Sequence, residues 1–314
     1  MKVAVIDMGT NSTRLYIAES DTYASARPVL RATNITGLGK NAGPDGWIQP
    51  EAIDRTTTVL EEYARTINEH DVAMTRMAAT AAMRRAPNAD AILDRIEAIL
   101  GVRPKIIPGE MEATLTFIGV LSDPLIANMG LEYQIFDIGG GSTEIMQGFD
   151  HPRILKSLSL GCIKLRDTFL LGDPPTESEI RAARNHVLEV LESEFSPQSR
   201  PHTVALAVAG TATTLASIEL GLEPYDPDQI HRFLLPIDAV DGRLASLAAL
   251  PLSERQKVVG LEAKRADTIV GGAIILSTIM QFFGHREVLI SERDLLDGLA
   301  MTAIADYNRK QNTP

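Results

Sequence analysis

Apolar residues along this chain fall into short runs of strand character separated by stretches of helical period, and that order occurs twice. Lys2–Asp7 predicts a buried strand ending on a carboxylate, Met8–Ser12 a turn of Gly, Thr, Asn and Ser, and Thr13–Glu19 and Arg27–Thr33 two further strands. Pro50 opens a helix running to about Glu69, with Ile53, Leu60, Tyr63 and Ile67 on one face. Val72–Ala79 predicts a strand, Asn88–Leu100 a helix, Pro104–Ile107 a strand and Glu110–Val120 a helix. The second round starts with a strand over Glu132–Asp137, a Gly-rich turn over Ile138–Ser142, and strands over Thr143–Phe149 and Arg153–Leu158. Helices follow at Cys162–Leu170 and Thr176–Phe195, then a strand at Val204–Ala209, a helix at Thr211–Leu220 and a strand at His231–Pro236. The remainder reads as mostly helical apart from a strand at Val288–Ser291.

Both rounds run strand, strand, strand, helix, strand, helix, strand, helix, with one extra helix in the second. Asp7-Met-Gly-Thr-Asn-Ser12 and Asp137-Ile-Gly-Gly-Gly-Ser142 occupy the same place in each round, 130 residues apart. That period is far too long for a solenoid and points to an internal duplication. The expected architecture is two similar α/β domains facing each other, with the site in the cleft between them. The first would cover residues 1–120, with the last helix (about 297–314) packing back onto it, and the second residues 121–296, with 121–131 as the hinge.

Composition narrows the function. A chain of 314 residues with 45% apolar and 23% charged residues can build two ordinary cores. The single cysteine, Cys162, excludes an intramolecular disulfide and a Cys-rich zinc site and fits a reducing compartment. The apolar stretch before Asp7 is too short for a signal-peptide core, so a cytoplasmic location is expected. Thr268–Gly284 is uncharged but carries Gly271, Gly272, Ser277, Thr278 and Gln281, and reads as a helix buried within the protein, not a membrane span. A net charge of −11 argues against nucleic acid as a partner. Any anionic substrate must therefore be met locally, by backbone N–H groups, a metal ion and a few arginines.

The two turns are the first candidates. A tight bend rich in Gly, Ser and Thr can aim successive N–H groups into a concavity that binds phosphate oxygens, and Gly139-Gly140-Gly141 would let a phosphate approach the backbone closely. The alternative is a plain hairpin turn; the paired occurrence behind Asp7 and Asp137 favours phosphate. No lysine follows either turn and the next element is a strand, so neither is a GxxxxGK[ST] loop. Asp7 and Asp137 at strand ends need a cation or donors, and Glu144 on the outgoing strand can reach the same end as Asp137. This donor set suits Mg²⁺, although both aspartates could instead cap their turns. Glu110 and Glu112 follow Pro108-Gly109 in a first helical turn, where acidic residues complement the helix dipole or where one could orient a water. Arg84, Arg166, Arg265 and Arg293 are candidate phosphate forks, the last three in or beside the second domain, with Arg85 as surface. Ala209-Gly210-Thr211 opens a helix that is either an anion site or an N-capped entry. The six histidines show no metal-ligand spacing.

Taken together and in order, these phrases resemble the exopolyphosphatase / guanosine pentaphosphate phosphatase family, within the actin, sugar-kinase and heat-shock-chaperone ATPase superfamily. The resemblance runs through Asp7–Ser12, Ala79-Thr-Ala-Ala-Met-Arg84 with Asn88, Gly109-Glu-Met-Glu-Ala113, Phe136–Glu144, Leu160–Arg166, Ala209–Thr214, Arg265-Ala-Asp267 and Ser291–Gly298. It implies two ribonuclease-H-like α/β domains, Glu112 as the catalytic residue, and Asp137 and Glu144 as ligands of Mg²⁺ (or Mn²⁺); Asp7, at the matching strand end, is the further candidate carboxylate for the metal. It also implies phosphate contacts from Gly9, Thr10, Asn11, Ser12, Gly139, Gly140, Gly141 and Ser142, with Arg84 and Arg265 on the phosphate chain. The family commonly has Glu-Glu-Ala where this chain has Glu110-Met-Glu112-Ala. Ending at Pro314, the chain resembles the short two-domain form, and the resemblance leaves room for a homodimer. The implied activity is release of terminal orthophosphate from inorganic polyphosphate. The alternatives are hydrolysis of guanosine pentaphosphate at the same site, a kinase of the same superfamily, and a sensor without turnover.

Overall fold

In the computed structural model the described residues are 1–20, 26–42, 45–195 and 203–311. The chain divides into one unit of Met1–Asn128 with Arg293–Pro314, and another of Met129–Glu292. The first unit contains β1 (Lys2–Met8), β2 (Ser12–Glu19), β3 (Arg27–Ile35), α1 (Pro50–Glu69), β4 (Met74–Ala79), α2 (Ala81–Arg85), α3 (Ala89–Leu100), β5 (Lys105–Ile106), α4 (Gly109–Leu121) and α5 (Pro124–Ala127). The second contains β6 (Glu132–Ile138), β7 (Thr143–Gly148), β8 (Pro152–Leu158), α6 (Cys162–Phe169), α7 (Glu177–Glu194), β9 (Thr203–Val208), α8 (Ala209–Leu220), α9 (Pro227–Ile230), β10 (Leu234–Pro236), α10 (Ile237–Ala248), α11 (Leu252–Arg255), α12 (Ile269–Phe283) and β11 (Glu287–Ile290). The closing helix α13 (Leu295–Gln311) returns to the first unit.

In the first unit the sheet order is β3-β2-β1-β4-β5, with β1 antiparallel to β2 and parallel to β4. Its centre reads as a continuous apolar run because both faces are covered. Ala4, Ile6 and Met8 pack with Leu60, Tyr63, Ile92 and Ile96 from α1 and α3. Val3 and Val5 point the other way, into a cluster with Leu295, Leu296, Leu299 and Ala303 from α13. The helices α4 and α13 meet backbone to backbone: a β-carbon on Gly119 would lie 1.9 Å from the Asp294 carbonyl oxygen, and one on Gly298 would lie 1.9 Å from that of Leu115.

The second sheet has the order β10-β11-β9-β6-β7-β8. From β8 to β11 it repeats the first sheet strand for strand, with β10 added at the edge. Its core gathers α12, whose residues from Ile269 to Met280 are all buried, with Phe136, Ile145, Leu206 and Ile290 of the strands completely buried as well. Among the described residues no helix is long and apolar enough to cross a membrane. Two copies of a sheet ordered third, second, first, fourth, fifth make this an α/β protein of duplicated domains with ribonuclease-H-like topology.

Local departures from the expected elements have backbone causes. The strand expected over His231–Pro236 is only Leu234–Pro236, because the side chain of Asp226 caps α9 at the Asp228 N–H and Arg232 takes a left-handed φ of 67°. Ala209, expected to end a strand, instead opens α8 with φ 63°. The five-residue helix α2 was not expected from the pattern around Ala79–Met83.

A methyl group at the α4–α13 crossing has nowhere to go. Gly119→Ala and Gly298→Ala should each lower unfolding free energy by about 2–4 kcal/mol or prevent folding. Gly242→Ala, in α10 with nothing within 4 Å of the added carbon, should raise it by about 0.5–1 kcal/mol. Urea denaturation of the three variants checks both signs.

Candidate active site

Each hairpin turn is closed by one hydrogen bond of the same kind: Gly9 N–H donates to Ser12 O at 2.9 Å, and Gly139 N–H to Ser142 O at 3.0 Å. The outward carbonyls of the turns are then tied back by the chain that follows. Gly37 and Gly39 donate to the carbonyls of Asn11 and Thr10, at 2.8 and 2.9 Å. In the second unit Cys162 and Ile163, at the start of α6, donate to Gly139 and Gly140, each at 3.0 Å. Among the described residues no group accepts from the N–H of Thr10, Asn11, Gly140 or Gly141. Turns with their carbonyls tied back and these four N–H groups unused have the geometry of an anion-accepting nest.

The first unit places its charged groups at the C-terminal ends of its parallel strands, the end where open α/β sheets bind ligands. Asp7 is buried at the end of β1, across the ladder from Ala78 of β4. Ile107 joins Ala79 by a backbone bond of 3.0 Å. Arg84, leaving α2, donates through Nη1 to the Ile107 carbonyl at 2.9 Å and to Glu112 Oε2 at 2.6 Å. The structure separates the two candidate glutamates: in the first turn of α4, Glu110 is exposed and Glu112 is buried. Burial pushes the Glu112 carboxyl up to about 7; Arg84 pulls against that rise, the Asp7 charge adds to it and Arg14 opposes it. Burial also raises Asp7, against the pull of Arg14. One oxygen of Asp7, Oδ1, is buried without a hydrogen-bond partner.

In the second unit Asp137 on β6 stands directly opposite Glu144 on β7, both buried. Glu144 accepts from Ser157 Oγ at 2.7 Å. Like charges facing each other across a ladder destabilise it unless a cation or donors intervene. Two buried carboxylates form a hard-oxygen set of the kind Mg²⁺ or Mn²⁺ takes together with waters and phosphate oxygens. Among the described residues no group of three or more His, Cys, Asp and Glu side chains could hold a metal ion. The fit is thus to a metal held by two carboxylates and completed from solvent and substrate.

At the start of α8 a β-carbon on Gly210 would lie 1.9 Å from Arg265 Nη1, so the guanidinium lies against the bare backbone there. Arg265, itself on a short 3₁₀ turn (Ala263–Arg265), is steadied by Glu262 at 3.3 Å. Arg166 pairs with Asp267 at 3.1 Å. Arg293, expected beside the second domain, belongs to the first unit and donates to the Ser122 carbonyl and hydroxyl, both at 2.9 Å. Arg85 is exposed.

The sequence reading missed Arg14 and Asp294. Arg14 donates from Nε and Nη2 to Asp7 Oδ2, at 3.0 and 2.7 Å, and from Nη1 to Asp294. A signal existed: Arg14 follows Asp7 by the same interval as Glu144 follows Asp137.

The chain matches the model of the Ppx/GppA phosphatase family over residues 4–305. It is 33% identical over 318 residues to Exopolyphosphatase 2 of Mycobacterium tuberculosis, covering 96% of this chain and 98% of that one. Of solved structures, the Ppx/GppA family member of Aquifex aeolicus is 30% identical with a TM-score of 0.81, covering 100% of this chain and 99% of that one. An exopolyphosphatase from Cytophaga hutchinsonii is 26% identical with a TM-score of 0.89, covering 98% of each chain.

The raised Glu112 carboxyl makes stability depend on pH. Its folded pKa, about 7, lies above the ordinary 4.5, so folding binds its proton more tightly and the cost of burying the charge grows as pH rises through that window. Glu112→Gln should match wild type below about pH 4 and exceed it above about pH 8, by up to about 3 kcal/mol. Urea unfolding at the two pH values tests the sign.

Proposed function

We propose that this chain, which belongs to the Ppx/GppA phosphatase family, is a Mg²⁺-dependent exopolyphosphatase that releases terminal orthophosphate from inorganic polyphosphate. The observation that carries the choice is the repetition of the turn. Two hairpins of matching register, each with two backbone N–H groups unused, suit a substrate made of one repeated anionic unit. The relatives and neighbours named exopolyphosphatase support the same reading.

In this reading Gly9–Ser12 and Gly139–Ser142 donate to phosphate oxygens, and Arg84 and Arg265 neutralise the chain. Asp137 and Glu144 hold the metal ion, which when bound offsets negative charge on the phosphates. Glu112 accepts a proton from the attacking water and orients it. Phosphoryl transfer through a loose transition state asks mainly for that positioning. A carboxyl raised toward neutrality is the better base for it, and Arg84 fixes its direction through the 2.6 Å bond. As a phosphate chain binds, its oxygens can compete for Arg84 and release Glu112 toward the water.

Guanosine pentaphosphate is the second substrate reading. It is favoured by Tyr225, a partly exposed ring, which could stack on a base.

Orthophosphate release with Mg²⁺ from short-chain polyphosphate, long-chain polyphosphate and guanosine pentaphosphate is the deciding assay. Polyphosphate should be cleaved by wild type, and Glu112→Ala should lose about 10²-fold or more of kcat while still binding it. Cleavage of the nucleotide alone would move the substrate assignment to the second reading. A folded wild type that releases nothing would leave a sensor.

A further inference from the structure

Arg255 carries a charge that the second unit buries almost completely, with 4% of its surface exposed. Among the described residues no carboxylate bonds to it. Its donors go to backbone carbonyls: Nε to Leu247 at 2.9 Å, Nη2 to Leu250 at 2.7 Å and Nη1 to Ala266 at 3.0 Å. The first two carbonyls lie at and just beyond the C-terminal end of α10, where carbonyls lack helical partners and a cation is favoured. The third belongs to a different segment. A planar guanidinium, with its donors in a rigid fork, can hold the carbonyls of two segments in one fixed relation.

That second segment carries Arg265. Ala266 follows the 3₁₀ turn Ala263–Arg265, and its side chain is completely buried. Before it in the chain, Arg265 lays its guanidinium against Gly210 at the start of α8; after it, Asp267 accepts from Arg166 at 3.1 Å. α12 then begins, and its first turn has no room to shift. A β-carbon on Gly271 would lie 2.7 Å from the Cys162 carbonyl oxygen, and one on Gly272 would lie 2.5 Å from Thr211 Oγ1. The segment is thus fixed at its far end by α6 and α8 and in its middle by Arg255. At its near end the only side-chain tie to Arg265 is the exposed Glu262, at 3.3 Å, and an exposed pair of that kind holds little.

We propose that Arg255 is a positioning residue for Arg265: by holding the Ala266 carbonyl it fixes the backbone from which Arg265 projects, so that the guanidinium stands ready at the start of α8 before a phosphate chain arrives. Arg255 itself is buried and touches no substrate. Ordering a long side chain in advance removes an entropy cost from binding, so the effect falls on substrate affinity and not on the chemical step. The kinetic arm of the test rests on the hydrolytic function proposed above; the exchange arm does not.

The exchange arm is hydrogen–deuterium exchange of the full chain, read by mass spectrometry. The amides of Arg265, Ala266 and Thr268 are bonded within the turn, to the carbonyls of Glu262, Ala263 and Arg265. Arg255→Lys keeps the charge but not the fork, and should speed exchange over residues 262–268 by about tenfold or more while β6 and β9 keep their wild-type rates. No change over 262–268, or the same acceleration throughout the unit, overturns the proposal. For the kinetic arm, Arg255→Lys should raise the KM for tripolyphosphate by about tenfold with kcat within about twofold. In a chain that already carries Arg265→Ala, the same substitution should add less than about twofold. Asp173→Ala acts from the surface, removing the Oδ1 that caps α11 at the Leu252 N–H, and should move KM the same way by about two- to threefold. An unchanged KM in both variants, a loss confined to kcat, or a further loss of full size in the Arg265→Ala chain overturns the positioning role. A wild type that releases no orthophosphate from polyphosphate or guanosine pentaphosphate removes the proposed function, and the exchange rates still decide whether Arg255 holds the segment.

Discussion

A carboxylate buried at the end of a central strand needs a positive partner within reach, and the first unit is organised around that need at Asp7. One guanidinium, Arg14, serves both Asp7 and Asp294. Burial pushes Asp294 up, but Arg14 and Arg31, with the Leu296 N–H, outweigh it and hold the carboxyl below its ordinary range. One turn further along α13, Asp297 accepts from Arg31, whose guanidinium also lies over the Tyr16 ring at 4.2 Å. Hydrophobic burial brings α13 to the sheet, and these ion pairs select its register. Removing either partner of such a buried pair costs about 3–5 kcal/mol, since the other charge is left unmet.

Position on α4 decides how far Glu112 is withdrawn from water. Two residues apart on α4, Glu110 and Glu112 lie on opposite faces of the helix, and Glu112 is buried with Arg84 bonded to it while Glu110 is exposed. A carboxylate in a first helical turn would ordinarily gain from the helix dipole. Here desolvation is the larger effect, even with Arg84 bonded to it, and the carboxyl rises to about 7. Withdrawal from water thus sets the basicity of the group that the proposed hydrolysis depends on.

The second unit solves its version of the problem differently. Its turn is braced by the first N–H groups of α6, and its aspartate faces a glutamate that accepts from the Ser157 hydroxyl, where the first unit has Asp7 facing Arg14. Ala209 holds a left-handed φ at the entry to α8, a conformation that costs about 1–2 kcal/mol in an L-residue. That turn presents Gly210 to Arg265 at a distance no side chain would permit.

Much of this was legible in the amino-acid order, because strand and helix periods and the repeated turn are local properties. Ile53, Leu60, Tyr63 and Ile67 do lie along a helix opened by Pro50, with Leu60, Tyr63 and Ile67 in the core. The phrase around Asp7 and Asp137 does recur as two hairpins with the same closing bond. Glu110 and Glu112 lie on opposite faces of one helix by their spacing, and only the packed chain shows which face is buried, with Glu112 against Arg84. Arg14 looked like a polar residue on a strand until Asp294, 280 residues away, was brought beside it. Local periodicity determines which elements form; which charges meet, and how far each is withdrawn from water, depends on contacts between distant segments that exist only once the chain has packed.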